Sequence, residues 1–126
     1  MTIVIIVGIY FLMKKNDTPE YLNNQITDST TNNVIIENGI QIITLETKGG
    51  YSPQKSIAQA GIPTIIKFDT NNTFDCSLAI RIPSKNINKI LPQTGETNID
   101  LGTTTPGNLN GSCGMGMYPF EIYFKN

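Results

Sequence analysis

The chain has 126 residues, of which 39% are apolar and 15% are charged, and its formal net charge is −1. This length suits a single domain with one modest hydrophobic core, and the sequence lacks the clustered basic patch that binds nucleic acid. It contains no histidine, which excludes Ser-His and Cys-His nucleophile pairs and the imidazole ligands usual for zinc and copper(II).

The chain begins with an apolar run of thirteen residues, MTIVIIVGIYFLM, followed by Lys14 and Lys15. A secretory signal places its basic residues before the apolar segment and small residues after it, so this segment does not match one. As a helix this run would be roughly 20 Å long, whereas the hydrocarbon core of a bilayer is roughly 30 Å thick. Local thinning of the bilayer, or lysine side chains that extend to the interface, would make up the missing length. We predict that residues 1–15 are a single-pass anchor in the cell membrane. The positive-inside rule places the soluble domain on the cytoplasmic side. The alternative is a buried strand or helix of the domain.

A polar segment, residues 16–33, is rich in Asn, Thr, Ser and Asp and is predicted to be a flexible linker. The domain proper is expected over residues 34–126. It opens with two β-branched runs separated by Asn38-Gly39, a strong hairpin signal because both residues tolerate positive φ.

The rest of the domain consists of short strand-like segments separated by Gly, Pro and Asn. Strands are predicted over residues 56–59, 64–68, 77–82, 98–101 and 120–125. In the last of these, apolar Phe120, Ile122 and Phe124 alternate with polar neighbours. Residues 84–91 are expected to form one helical turn in a crossover. Without a long helix, this pattern predicts an all-β sandwich.

Four carboxylates in this domain could supply a catalytic pair, but no spacing in the sequence fixes any two of them together. They are therefore expected to be solvated surface groups, and the protein is not expected to be an enzyme; the four are Asp69, Asp75, Glu96 and Asp100.

The sulfur-containing residues form the most informative pattern. Met115 and Met117 directly follow Cys113 in GSCGMGMY, and Cys76 begins a predicted strand. One interpretation is a structural disulfide, which suits an exported domain but leaves the methionines unexplained. A second is that the methionines fill gaps in the core, although their spacing points them to opposite faces of a strand.

The third interpretation is a metal site. Thiolate and thioether sulfurs are soft donors that select Cu(I), and two cysteines with two methionines suffice for one such ion or two. A blue-copper centre needs imidazole together with thiolate, so the absence of histidine excludes it. We therefore expect Cu(I) to bind at Cys76, Cys113, Met115 and Met117.

These residues also carry a resemblance that covers roughly residues 40–125. The sequence resembles the cupredoxin-like domain of bacterial copper-handling proteins. It is similar to the membrane-anchored, CupA-type Cu(I) chaperones of copper resistance and to the N-terminal domain of some copper-exporting P-type ATPases. The matching features are Tyr51-Ser52-Pro53, Ala60-Gly61-Ile62-Pro63, Cys76, Ile82-Pro83 and Cys113-Gly114-Met115-Gly116-Met117.

The resemblance implies a cupredoxin-like Greek-key β-sandwich with an all-sulfur Cu(I) site. Cys76 and Cys113 would be thiolates that bridge or share a two-copper cluster, and Met115 and Met117 would complete it. The implied function is a metallochaperone that hands Cu(I) by ligand exchange to the metal-binding domain of a Cu(I)-exporting P-type ATPase. Storage or sensing of copper would use the same ligands. The alternative from another class is a cell-surface binding or adhesion sandwich stabilised by one disulfide.

Overall fold

A computed structural model describes residues 30–126. The predicted anchor, residues 1–15, and most of the predicted linker lie outside this range. Within it the regular structure consists of β-strands and two single turns of 3-10 helix, Cys76–Leu78 and Pro83–Lys85. None of the helices in residues 30–126 is long and apolar enough to cross a bilayer. The predicted all-β class is confirmed.

The described residues form ten strands. In chain order they are β1 (Val34–Glu37), β2 (Ile40–Thr47), β3 (Tyr51–Ser52), β4 (Lys55–Gln59), β5 (Pro63–Thr70), β6 (Ala79–Ile82), β7 (Ile87–Ile90), β8 (Gly95–Thr103), β9 (Gly107–Cys113) and β10 (Pro119–Lys125). The first sheet has the order β1-β2-β5-β8, with β3 paired to β2, and the second has the order β4-β10-β9-β6-β7.

The first hairpin forms as the sequence predicts. Strands β1 and β2 are antiparallel, and the two residues between them, Asn38 and Gly39, have φ angles of 52° and 79°. Positive φ at both central positions is the geometry that a two-residue hairpin needs to match the twist of its strands.

Two strand pairs are parallel, β2 with β5 and β4 with β10. A tight turn cannot join parallel neighbours, and the chain instead crosses to the second sheet at β4 before returning as β5. The connections between sheets therefore place β4 beside β10, next to the hairpin of β9 and β10 that carries Cys113.

The core lies between the two sheets and follows the period of two expected of strands. In β10 the predicted inward residues Phe120, Ile122 and Phe124 are buried. An aromatic cluster fills the end of the core nearest Cys113. Its three rings meet edge to face with centroids 4.9 to 6.0 Å apart; they are Tyr51, Phe68 and Phe120.

Residues 31–33, at the end of the predicted linker, are hydrogen-bonded to the sheets. Thr31 donates its backbone N–H to the Ile57 carbonyl at 3.1 Å. The Asn33 amide donates to the Thr44 carbonyl at 3.1 Å and to the Ser56 hydroxyl at 2.9 Å.

The predicted helical turn over residues 84–91 is only partly correct. The 3-10 turn ends at Lys85, and Asn86 adopts a left-handed conformation with φ of 53°. The chain then reverses and β7 pairs with β6. The propensity of SKNINKIL is ambiguous, and the pairing partner β6 decides its conformation.

Candidate metal centre

Cys113 is the last residue of β9 and is fully buried. The hairpin to β10 closes around it, because Cys113 donates its N–H to the Tyr118 carbonyl at 3.1 Å and accepts one from Gly116 at 2.9 Å. Gly116 has a φ of 74°, a conformation that glycine adopts without steric cost. Residues 114–118 form the loop of this hairpin, which we call the sulfur loop.

Cys76 lies in the 3-10 turn Cys76–Leu78, three residues before β6 begins at Ala79. The sequence had placed it at the start of the strand. The turn forms because Asp75 caps it, accepting the Ser77 N–H at 2.8 Å. Aspartate is among the residues preferred at such caps. Cys76 is partly exposed, whereas Ser77 is buried.

The structure brings the two cysteines together. Their Sγ atoms lie 2.7 Å apart, and both cysteines are free. Their separation exceeds the roughly 2.05 Å of a disulfide bond. The proximity follows from the pairing of β6 with β9, in which Ile80 lies opposite Cys113 and holds the preceding turn beside it.

The two thiols differ in acidity. Burial opposes ionisation of Cys113, but the hydrogen bond from Cys76 and the backbone N–H groups of Tyr118, Met115 and Met117 lower its pKa to about 7. The pKa of Cys76 is raised to about 11, first by its hydrogen bond to Cys113 and then by burial and the neighbouring negative charge. Near pH 7 the Cys113 thiol is therefore partly ionised while the Cys76 thiol stays protonated.

Tyr51 connects this pair to the aromatic cluster. Its hydroxyl donates to the Ser77 carbonyl at 2.9 Å. Burial raises its pKa far above the usual value, and the charges of Cys113, Cys76 and Asp75 raise it further. Tyr51 therefore stays neutral and acts as a hydrogen-bond donor beside the two cysteines.

The two methionines lie on the sulfur loop with most of their side chains in solvent. Met115 is 77% exposed and Met117 63%. These values contradict the interpretation that they fill the core. Met117 also lines a small surface cavity together with Gly50, Tyr51 and Tyr118. The structure thus unites the thiols and places the thioethers on an accessible loop next to them.

Sequence reasoning missed the residues that hold the Cys76 turn in place. Asp75 was expected to be a solvated surface group, but it is half-buried and hydrogen-bonded. These hydrogen bonds lower the pKa of Asp75, and the largest cause is the hydrogen bond from the Ser77 side chain. An Asp two residues before a Ser is a local capping signal that would have identified part of this arrangement.

Within residues 30–126 no three Cys, Asp or Glu side chains form a metal-binding cluster.

A family model described as the cupredoxin-like domain matches residues 2–121. The chain therefore belongs to the cupredoxin-like domain family, as its sequence suggested.

Many solved structures are similar to this fold, including the following two. One is the crystal structure, with Cu(I), of the metal-binding domain of the Cu(I)-exporting P-type ATPase CopA from Streptococcus pneumoniae. It is 28% identical, with a TM-score of 0.68 over 74% of this chain and 93% of that one. The other is the solution structure of a copper binding protein in the apo form, 26% identical, with a TM-score of 0.67 over 73% of this chain and 94% of that one. A search of curated proteins found no match. Both descriptions name copper: one structure contains Cu(I), and the other is of a copper binding protein.

Proposed function

We propose that this protein is a Cu(I) metallochaperone that binds cuprous ions with sulfur ligands alone. The observation that carries the proposal is the contact of the Cys76 and Cys113 sulfurs, 2.7 Å apart, beside the exposed methionines of the sulfur loop. Thiolate and thioether donors select Cu(I) over harder ions, and the chain offers no imidazole. The similarity to a domain whose structure contains Cu(I) supports this choice of metal.

Two cuprous ions are proposed at this site. Each thiolate of the Cys76–Cys113 pair serves as a bridging ligand, and Met115 and Met117 complete the coordination from the sulfur loop. The lowered pKa of Cys113 supports this role, since the thiolate is the form of cysteine that binds metal.

Transfer is proposed to proceed by ligand exchange. The thioethers of Met115 and Met117 are neutral and exposed, so an incoming thiol displaces them first. Cys113 is buried and is the last ligand to leave. The receiving partner is the metal-binding domain of a Cu(I)-exporting P-type ATPase. The apolar segment over residues 1–15 would hold the domain at the cytoplasmic face of the same membrane, where tethering raises its effective concentration.

An anaerobic titration of the full chain with Cu(I), in competition with a cuprous chelator, tests the binding site. Wild type should bind two equivalents, one tightly and one more weakly. Cys76→Ser and Cys113→Ser should lose the tight one. Met115→Leu and Met117→Leu should weaken only the second, and because both positions are exposed these swaps of similar volume leave the fold intact. The proposal is wrong if both cysteine variants bind Cu(I) as tightly as wild type.

Two further measurements address the donor set and the location. X-ray absorption of the Cu(I)-loaded chain should show sulfur neighbours only and a short copper–copper vector. Freshly lysed cells without reductant should contain the chain with two free thiols, because the cytoplasm keeps cysteines reduced. A chain with no free thiols would instead indicate a disulfide-bonded module outside the cell.

A further inference from the structure

The turn that carries Cys76 is held by one carboxylate. Asp75 accepts a hydrogen bond from the Gly49 N–H at 2.7 Å with one oxygen. Its other oxygen accepts the Ser77 N–H at 2.8 Å and the Ser77 hydroxyl. Three donors therefore converge on the residue next to Cys76, and one of them comes from a distant loop.

That loop, residues 48–50, contacts the Cys76 turn together with Tyr51, which follows it as the first residue of β3. Besides the Gly49 hydrogen bond, Gly50 donates its N–H to the Ser77 hydroxyl at 3.0 Å, and the Tyr51 hydroxyl donates to the Ser77 carbonyl. Gly49 and Gly50 have φ angles of 59° and 115°. Such angles suit glycine, so the Gly-Gly pair lets two successive amides point at the turn.

The same loop also contacts the segment that carries Cys113. A side-chain carbon built on Gly50 would lie 3.4 Å from the Tyr118 ring, at ordinary contact distance, so that ring lies beside the loop backbone. Tyr118 in turn accepts the Cys113 N–H. The loop therefore links the two cysteine-bearing segments, and on the Cys76 side it is attached through Asp75 and Ser77. Asp75 also accepts the Ser77 N–H and hydroxyl, so it holds both attachment points together.

We propose that Asp75 is a positioning residue, which binds no metal itself but holds the Cys76 thiol against the Cys113 thiol before any ligand arrives. This inference rests on the proposed function of the cysteine pair. Its physical basis is preorganisation, because ordering the turn during folding removes that cost from binding. Hydrogen-bonded groups behind metal ligands typically contribute 10- to 100-fold to metal affinity.

The test compares Asp75→Ala with Asp100→Ala in the full chain. Asp100 is a matched control, because it also accepts the N–H of the residue two positions later, Gly102, at 2.8 Å, but lies on β8 in the other sheet. Asp75→Ala should bind Cu(I) about 10- to 100-fold more weakly, and Asp100→Ala within about twofold of wild type. Asp75→Asn retains one acceptor oxygen and should fall between wild type and Asp75→Ala.

A second readout measures the thiol pair without copper. Phenylarsine oxide bridges two thiols only when both reach one arsenic atom, so its affinity reports whether the pair is preassembled. Asp75→Ala should lose arsenical affinity in proportion to its loss of Cu(I) affinity, while urea unfolding checks that the variant is folded. A merely structural role would lower the urea midpoint and leave both affinities of the folded protein unchanged.

The outcomes separate this inference from the proposed function. Wild-type binding of both ligands by Asp75→Ala would overturn the positioning role. If wild type binds the arsenical and Asp75→Ala does not, but neither binds Cu(I), the positioning role stands and the copper function fails. If Asp75→Ala does not fold, Asp75→Asn replaces it in the test. Affinities of Asp75→Asn for Cu(I) and the arsenical several-fold below wild type support the positioning role, and unchanged affinities overturn it.

Discussion

The close packing around Gly111, near the candidate metal centre, predicts the effect of a single added methyl group. Gly111 lies opposite Phe120 in the pairing of β9 with β10. A Cβ atom at residue 111 would lie 2.8 Å from Cε2 of the Phe120 ring and closer still to Cζ and Cε1. The ring cannot move away freely, because it is 2% exposed and its centroid lies 4.9 Å from that of Tyr51 and 5.8 Å from that of Phe68.

Gly111→Ala is therefore expected to reduce the free energy of unfolding by about 1–3 kcal/mol, the usual cost of overpacking a core. It should also weaken binding at the metal centre. Displacement of the Phe120 ring pushes on Tyr51, whose hydroxyl donates to the carbonyl of Ser77 in the Cys76 turn.

Urea denaturation of the full chain, analysed by linear extrapolation, measures the change in stability. Gly114→Ala is the matched control, since its Cβ would lie 3.5 Å from that of Ala79, an ordinary contact, and its effect should stay within about 0.5 kcal/mol. Adding Phe120→Leu to Gly111→Ala should recover about 1 kcal/mol of coupling energy in a double-mutant cycle. Equal midpoints for Gly111→Ala and Gly114→Ala would refute the reasoning.

Three further predictions concern the thiol pair and the opposite end of the sandwich. The apparent Cu(I) affinity should fall as the pH is lowered, by about one log unit per pH unit above pH 7 and by about two log units per pH unit below it. Above pH 7 only Cys76, with a pKa of about 11, is protonated, so copper displaces one proton. Below pH 7 Cys113, with a pKa of about 7, is protonated as well, so copper displaces two protons. A pH-independent affinity would contradict thiolate binding. Without copper, excess glutathione disulfide should form a disulfide between Cys76 and Cys113 and release two reduced glutathione molecules. Bound Cu(I) should protect the two thiols from this oxidation. Mass spectra showing only mixed disulfides with glutathione would contradict the contact between the two cysteines. Gln41→Leu should lower the free energy of unfolding by about 1–3 kcal/mol, because the buried Gln41 amide hydrogen-bonds both the N–H and the carbonyl of Gln59. Its Cu(I) affinity should not change, because Gln59 pairs with Lys125 at the end of β10 away from the cysteines. Unchanged stability or an altered affinity would contradict this.

The first hairpin turn and the buried face of the last strand could be predicted from the sequence, because each depends on residues that are neighbours in the chain. The Asn38-Gly39 turn requires positive φ, which few residue pairs tolerate, and the alternation in residues 120–125 fixes which face of β10 is buried. The expectation that Cys76 and Cys113 belong to one site agrees with their contact in the structure. Their role as metal ligands stays a prediction.

The elements that sequence reasoning missed depend on distant partners. Strand β9, with the sequence GNLNGSC, has little intrinsic strand propensity, and its pairing with β10 and β6 imposes its conformation. The requirement for glycine at residue 111 is visible only once the register brings Phe120 opposite it. Asp75 resembles a surface carboxylate until the Gly49 amide, 26 residues away in sequence, is seen to bind it.

The span of these contacts along the chain has a consequence for cargo retention. The cysteines are 37 residues apart, and the hydrogen bonds from residues 49 and 50 to the Cys76 turn reach across 26 and 27 residues. An unfolded chain keeps none of these long-range contacts, and a ligand that needs both thiols loses its site when the sandwich opens. Such a ligand stabilises the native state by mass action, so occupancy and folding form one linked equilibrium. If the proposed function is correct, a misfolded copy would release Cu(I) instead of carrying it.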